Sequence, residues 1–341
     1  MFLLREARPR DNRRLVDLAR LLDSVNMPTG TREMAEALGR SAQSFRGQLR
    51  QRARAIYLFC AEELGTHRLA GAAMIIAKHG TPVSPHYYLQ MDSDERYSHT
   101  LRKMFRHTFL RLRHSMDGPT EVGGLIVDPE LRRRPEKVGK QLSWVRFLYI
   151  AKHRRRFENH IIAEIMPPLT SEHGNLFWDH YGRRMTGLSF QEADRLSIYD
   201  KEFIRALFPD APLYTFLLPE EVRSFLGAVS EQSRGAVRVL EQAGLRFLDQ
   251  IDPFDAGPYY GALIADLQPV KAFGSYRAVP GTVSTPTDRS FLVSREDHDR
   301  GFRAVQVTTA APERRQIVLA SEAMVALGIR EGDIVDAVPL P

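Results

Sequence analysis

Five carboxylates and one histidine stand where their surroundings could give them chemistry. Glu164 interrupts the apolar run HIIAEIM (160–166). A carboxylate among isoleucines is desolvated, which raises its pKa toward the range where it can take a proton from an amine. A structural pairing with a nearby arginine explains it equally well. Glu121 opens a second apolar run, EVGGLIV (121–127), and could receive an amine directly or through water. Glu172 and His173 lie in the polar stretch TSEHG after the first run. A histidine there can act as a base near neutral pH, although loop histidines are more often surface or capping groups. Asp252 and Asp255 flank Phe254 in IDPFDAGP. Such a pair can hold a guanidinium in bidentate fashion. It can equally cap backbone amides of a turn, which leads slightly for Asp255.

A second constellation is basic. In VDPELRRRPEKVGKQLSWVRFLYI (127–150) a strand closed by Pro129 leads through a loop to a helix starting near Val138. The first amides of a helix lack internal partners and sit at the positive end of its dipole. Such a terminus accepts phosphate, above all where a small residue lets the backbone come close. Gly139 is the small residue, and Arg133, Arg134, Lys137 and Lys140 bring charge. Without more, an ordinary strand–helix connection with a basic surface competes seriously.

Other chemistries find little support. No His-Glu-x-x-His or Cys-x-x-Cys spacing occurs, so no metal is expected. The single cysteine, Cys60, lies in the apolar run IYLFCAEE and reads as a buried, inert thiol, with no covalent acyl-enzyme. A net charge of +6 and a pI near 9.5 favour anionic partners without naming them. The arginine clusters at 102–114, 131–137 and 152–157 are each best read as solvated surface, and they lack the aromatic–basic interleaving of a nucleic-acid site. No apolar run approaches the roughly 20 residues that span a bilayer. The charged N-terminus is not a secretory signal, and a cytoplasmic enzyme is expected.

The elements that must position these residues follow from periodicity. FLLREAR (2–8) is a strand, Asp11 an N-cap, and Leu15, Leu18, Leu21 and Leu22 mark the following helix. DSVNMPTGT (23–31) is a loop before a second amphipathic helix. IYLFCAEE and LAGAAMIIAKHG form a hairpin around GTHR. Residues 81–100 read as loop. The run 121–127 is a strand, 137–153 a helix and 160–166 a strand. GNLFWDHYG (174–182) is a short helix ended by Gly182. Further helices are predicted at 199–208, 219–229 and 235–244, and two strands around a turn near residue 255. Beyond about residue 268 short β-like pieces dominate. The chain therefore divides into 1–267 and a small β-barrel-like appendage, 268–341, which also resembles swapped-hairpin transcription-factor barrels.

This order resembles the GNAT acyltransferase superfamily, an α+β fold whose mixed, mostly antiparallel sheet is flanked by helices. Arg134-Pro-Glu-Lys137-Val-Gly139 resembles its pyrophosphate loop, with Lys137 where the first glycine is usual. AEIMPPLTSEHGNLFW (163–178), LYTFLLPEE (213–221) and VLEQAGLRFLDQIDPFDAGP (239–258) resemble the arginine N-succinyltransferase family more closely, in register across roughly 120–260. The resemblance implies transfer of a succinyl group from succinyl-CoA, a co-substrate rather than a tightly bound cofactor, to the α-amine of arginine. It also implies that the strand ending in Leu125, Ile126 and Val127 pairs with pantetheine, and that Val138 joins the phosphate-binding turn. Glu164, His173, Glu172 and Glu121 are then catalytic candidates, and Asp252 and Asp255 candidates for holding the acceptor. Trp178 stands where many GNAT enzymes carry a tyrosine acid, and indole cannot fill that role. Another acyl-CoA, or ornithine as acceptor, stays open, as does a basic regulatory or nucleic-acid-binding protein. A homo-oligomer and a pairing with a homologous subunit also stay open.

Overall fold

Two runs buried at every residue, IYLFCAE and LAGAAMI, become adjacent strands at the heart of one sheet because both of their faces are covered. The computed structural model describes residues 1–21, 27–49, 51–132, 134–168, 175–281 and 288–341. Its strands are β1 (Phe2–Glu6), β2 (Ile56–Glu63), β3 (Leu69–Ile76), β4 (His86–Ser98), β5 (Lys103–Ser115), β6 (Thr120–Val127), β7 (His160–Glu164), β8 (Leu213–Tyr214), β9 (Arg246–Ile251), β10 (Pro258–Leu263), β11 (Gly274–Pro280), β12 (Arg289–Asp297), β13 (Gly301–Thr309), β14 (Gln316–Leu319) and β15 (Ile334–Pro339). They hydrogen-bond in the order β14-β11-β15-β12-β13-β1-β2-β3-β6-β7-β10-β9-β4-β5-β8. All named pairs are antiparallel except β6 with β7 and β11 with β14. The expected mixed, mostly antiparallel sheet with helices is thus found.

Helices α1 (Asn12–Ala19) and α2 (Thr31–Phe45) cover one face, packing Leu15, Leu18, Met34 and Leu38 against Leu58 and Met74. Cys60 lies fully buried in this layer, where burial pushes its thiol up to about 12. On the other face runs α3 (Val138–Lys152), buried from Gln141 through Ile150. A helix apolar on all sides is one enclosed on all sides. The C-terminal strands supply part of that enclosure. Trp144 Nε1 donates to Pro339 O at 2.8 Å, Lys152 pairs with Asp336 at 2.8 Å, and His153 with Glu296 at 2.7 Å. Strand β13 also pairs with β1, so β11–β15 continue the sheet, around a core of their own that includes Phe291, Val305 and Leu327.

Three local expectations are corrected. Residues 86–98, within the stretch read as loop, pair with 103–115 in a long hairpin, thirteen residues with thirteen, because Tyr87, Leu89 and Leu110 bury the base of an otherwise polar ribbon. Asp11 does stand at the start of α1, but its side chain caps nothing there. It is spent on the buried Arg5, whose Nη1 and Nη2 reach it at 2.7 and 2.9 Å while Nε reaches Glu62 at 2.7 Å. Gly182 does not end its helix but starts the next, Gly182–Thr186. Glycine is needed because a Cβ would lie 2.3 Å from the Trp178 ring. No helix among the described residues is long and apolar enough to cross a membrane.

Candidate active site

β6 and β7 start side by side in parallel, with Thr120 opposite Ile161 and Glu121 opposite Ile162, and form no further register pairs. Past Glu121 a cavity of about 260 Å³ opens between Val122–Leu125 on one side and Ala163–Met166 on the other. Gly123 and Gly124 line it. Gly124 takes φ +55° where the β3–β6 register slips. A Cβ there would meet Met27 Cε at 2.9 Å.

The cavity gathers most of the sequence-flagged carboxylates. Glu164 ends β7, opposite Tyr259 of β10, and is half-buried at the cavity wall. Burial, then the charges of Asp252, Asp255 and Glu121, push its carboxyl well above the usual range. Asp252 and Asp255 join it from the turn between β9 and β10. Both also do turn chemistry. Asp252 Oδ1 accepts from Phe254 N at 2.7 Å and Oδ2 from the Tyr259 hydroxyl at 3.0 Å, while Asp255 Oδ1 accepts from Gly257 N at 2.7 Å. Burial raises both, Asp255 well above its usual range with Asp252 as second cause. Glu121 is fully buried just outside. Burial opposes its ionisation, but His79, whose Nδ1 lies 2.5 Å from Oε2, and then Lys201 outweigh it and hold the carboxyl low.

Sequence reading missed several residues of this cavity. Asp194 enters from the helix Phe190–Tyr199, raised to about 6 by burial and by Asp252. His79 and His86 flank a turn in the stretch read as loop. Their rings meet edge to face at 4.6 Å, and burial holds His86 well below its usual value. Tyr259 and Lys201 carried no sequence signal at all. Arg146 did, since it breaks the apolar run WVRFLYI as Glu164 breaks IIAEIM.

The basic loop runs from β6 to α3. Leu125 and Val127 pack toward α3, Leu125 also lining the cavity, while Ile126 turns to the opposite core beside Leu58. Lys137 occupies the N-cap of α3 in the left-handed region, φ +49° and ψ +53°. Glycine is the residue that adopts that conformation without steric cost. Lys140 and Gln141 give the first intrahelical bonds to Lys137 O, so the amides of Val138 and Gly139 precede the ladder. Gly139 also lets α3 approach β6, since a Cβ would sit 3.3 Å from Val127 Cγ2. Lys140 is held below its usual value by burial and by the Lys137 charge, a repulsion that a bound anion would relieve. Arg134 spends its charge on Glu63 at 2.6 Å. Arg133, Glu172 and His173 lie outside the described residues.

Trp178 is core: it stacks on Phe254 at 5.2 Å and donates Nε1 to Leu188 O at 2.9 Å. The 152–157 arginine cluster is not the solvated surface expected: Arg154 and Arg156 are half-buried and brace the fold, with Arg156 Nη1 donating to Tyr149 Oη at 2.7 Å and Arg154 Nη1 to Glu158 O at 2.9 Å. Among the described residues, no group of three or more His, Cys, Asp or Glu is placed to hold a metal ion.

A family profile described as arginine N-succinyltransferase beta subunit matches residues 2–269. A Yersinia enterocolitica protein named arginine N-succinyltransferase is 30% identical, covering 98% of this chain and 97% of its own. A protein of the same name from Citrobacter koseri is 30% identical over 100% of this chain and 98% of its own. The solved structure of the arginine/ornithine succinyltransferase subunit AI from Pseudomonas aeruginosa has the same fold, with a TM-score of 0.84 at 24% identity, covering 100% of this chain and 99% of that one.

Proposed function

The chain belongs to the arginine N-succinyltransferase family, and we propose that it moves a succinyl group from succinyl-CoA to the α-amine of arginine. The observation that carries this reading is the cavity between the diverging strands. It collects Glu164, Asp252, Asp255 and Asp194, carboxylates that resist ionisation when crowded together and would accept a cationic ligand. We read the divergence of β6 and β7 as that of a GNAT enzyme. The pantetheine arm would lie along the freed edge of β6 at Leu125–Val127, and the phosphates at Arg133, Arg134, Lys137, Val138, Gly139 and Lys140. We keep 268–341 as a small domain, on the strength of its separate core.

The reaction asks for three events. An α-ammonium must lose a proton, its nitrogen must bond to the thioester carbon and give up a second proton, and the C–S bond must break as CoA leaves with one proton taken up by its thiolate, so that one proton is released overall. In our reading Asp252 and Asp255 hold the guanidinium and Glu164 takes the ammonium proton. The Glu121–His79 pair, Glu172 and His173 are the other candidates for the base. A backbone N–H of β6 would stabilise the oxyanion, which needs only a fixed donor. Ornithine is the competing acceptor, since the Pseudomonas protein is named for both amino acids, and that protein's being a subunit makes a paired assembly a matter for direct measurement.

The test is free-thiol release from succinyl-CoA and acetyl-CoA, with arginine and ornithine as parallel acceptors. Release that requires succinyl-CoA and arginine establishes the reaction. CoA binding with no release from any pair sinks the assignment.

A further inference from the structure

The helix α3 is enclosed on every side, yet it carries an arginine in its middle. Arg146 is 2% exposed. Among the described residues its hydrogen bonds go only to neutral acceptors: Nε to Ser143 O at 3.3 Å, Nη2 to Ser143 Oγ at 2.9 Å, and Nη1 to Gly123 O at 3.2 Å. A guanidinium has five N–H donors, so each terminal nitrogen keeps one more. Among the described residues no carboxylate compensates it. Burial alone acts on it, drawing it down to about 9, which leaves it cationic at neutral pH. Arg146 nevertheless lines the cavity, beside Gly123, Gly124 and Leu125.

A buried charge without a counter-ion is strongly disfavoured, and an apolar side chain of similar size would serve the fold better. Lys201, the cavity's other cation, does not share the predicament, because it stands in the field of Glu164, Asp252 and Glu121. The counter-ion of Arg146 is therefore sought in a ligand, and a fork of N–H groups suits a carboxylate. Two ligands of the proposed reaction carry one: the acyl group at its far end and arginine at its α-carbon. Position favours the first. Arg146 reaches β6 at Gly123, and its helix begins in the basic loop, whereas Glu164 lies on β7, Asp252 and Asp255 on the β9–β10 turn and Asp194 on the helix Phe190–Tyr199.

We propose that Arg146 receives the distal carboxylate of the acyl donor and thereby selects a dicarboxylic acyl group over a neutral one of equal length. The proposal rests on the succinyl-transfer reading above. It is tested with Arg146→Gln and Arg146→Lys, measuring kcat and KM for succinyl-CoA and butyryl-CoA, each with arginine and with agmatine, which lacks the carboxylate. The expected result is a loss in Arg146→Gln of about 100-fold in the succinyl-to-butyryl ratio of kcat/KM, within the range for removing one partner of a buried, hydrogen-bonded charge pair. The loss should fall mainly on KM, be the same with either acceptor, and be partly restored in Arg146→Lys. An unchanged ratio in an active variant overturns the proposal and leaves Arg146 as a brace between α3 and β6. A loss shared by both donors that vanishes with agmatine assigns the carboxylate to the acceptor and also overturns it. Should Arg146→Gln not fold, thermal unfolding of the unaltered protein decides. Equal stabilisation by succinyl-CoA and butyryl-CoA refutes selection, and greater stabilisation by succinyl-CoA supports it. No thiol release by the unaltered protein from either donor sinks the succinyl-transfer reading, and the proposal with it.

Discussion

Burial makes Glu164, Asp252, Asp255 and Asp194 hard to ionise, with Asp252 adding to the effect on the other three, and this has opposite consequences for stability and turnover. A carboxyl whose folded pKa is raised stabilises the fold below its unfolded value, and that contribution is lost as pH rises through the folded value. For Asp194 the window runs from the usual 3.8 to about 6. Asp194→Asn should therefore match the unaltered protein in Tm near pH 4 and exceed it increasingly toward pH 7. A constant gap would show that Asp194 ionises freely. Turnover runs the other way, because a base must be deprotonated. Activity should rise with pH through the raised pKa of Glu164, and Glu164→Gln should lower kcat by about 10²- to 10⁴-fold and abolish that limb of the pH profile. A retained limb would move the role to His79 and Glu121 or to His173. Glu164 was legible in the sequence because a charge amid isoleucines needs a reason. Arg146 carried the same signal within a helical run. His79, Tyr259 and Lys201 were invisible, since their importance lies in which strands and loops converge, and single-chain spacing does not encode that.

At the scale of elements, the strand–loop–helix unit 120–152 was legible from its apolar runs and Pro129. What the sequence could not show was that Lys137 adopts a glycine's conformation. A side chain in the left-handed region costs about 1–2 kcal/mol. Lys137→Gly should raise stability by about 1 kcal/mol by chemical denaturation. It should also raise the KM for acyl-CoA and weaken that KM's dependence on salt, because a cation near the phosphates is gone. Unchanged salt dependence would place Lys137 outside the phosphate site. The β4–β5 hairpin was missed for a different reason. Its outer half is polar on both faces, so alternation fades where nothing is buried, and only the base around Tyr87, Leu89 and Leu110 holds the register.

Across the whole molecule, composition indicated a large mixed fold, and the texture change near residue 268 marked the start of β11–β15. Neither indicated that those strands would join the sheet at β1 and roof α3. A chain ending at residue 273 would bare the β13-facing edge of β1 and part of α3. It should be insoluble or lack a cooperative unfolding transition, as measured by yield and circular dichroism. A soluble, cooperatively unfolding fragment would make the appendage dispensable to the fold. The chain's one thiol, Cys60, lies sealed between α1, α2 and the sheet. A thiol-reactive dye is therefore blind to the native protein. Under native conditions its colour counts product, and the further step on adding denaturant counts chains, so a single cuvette yields a rate already divided by the concentration of folded enzyme.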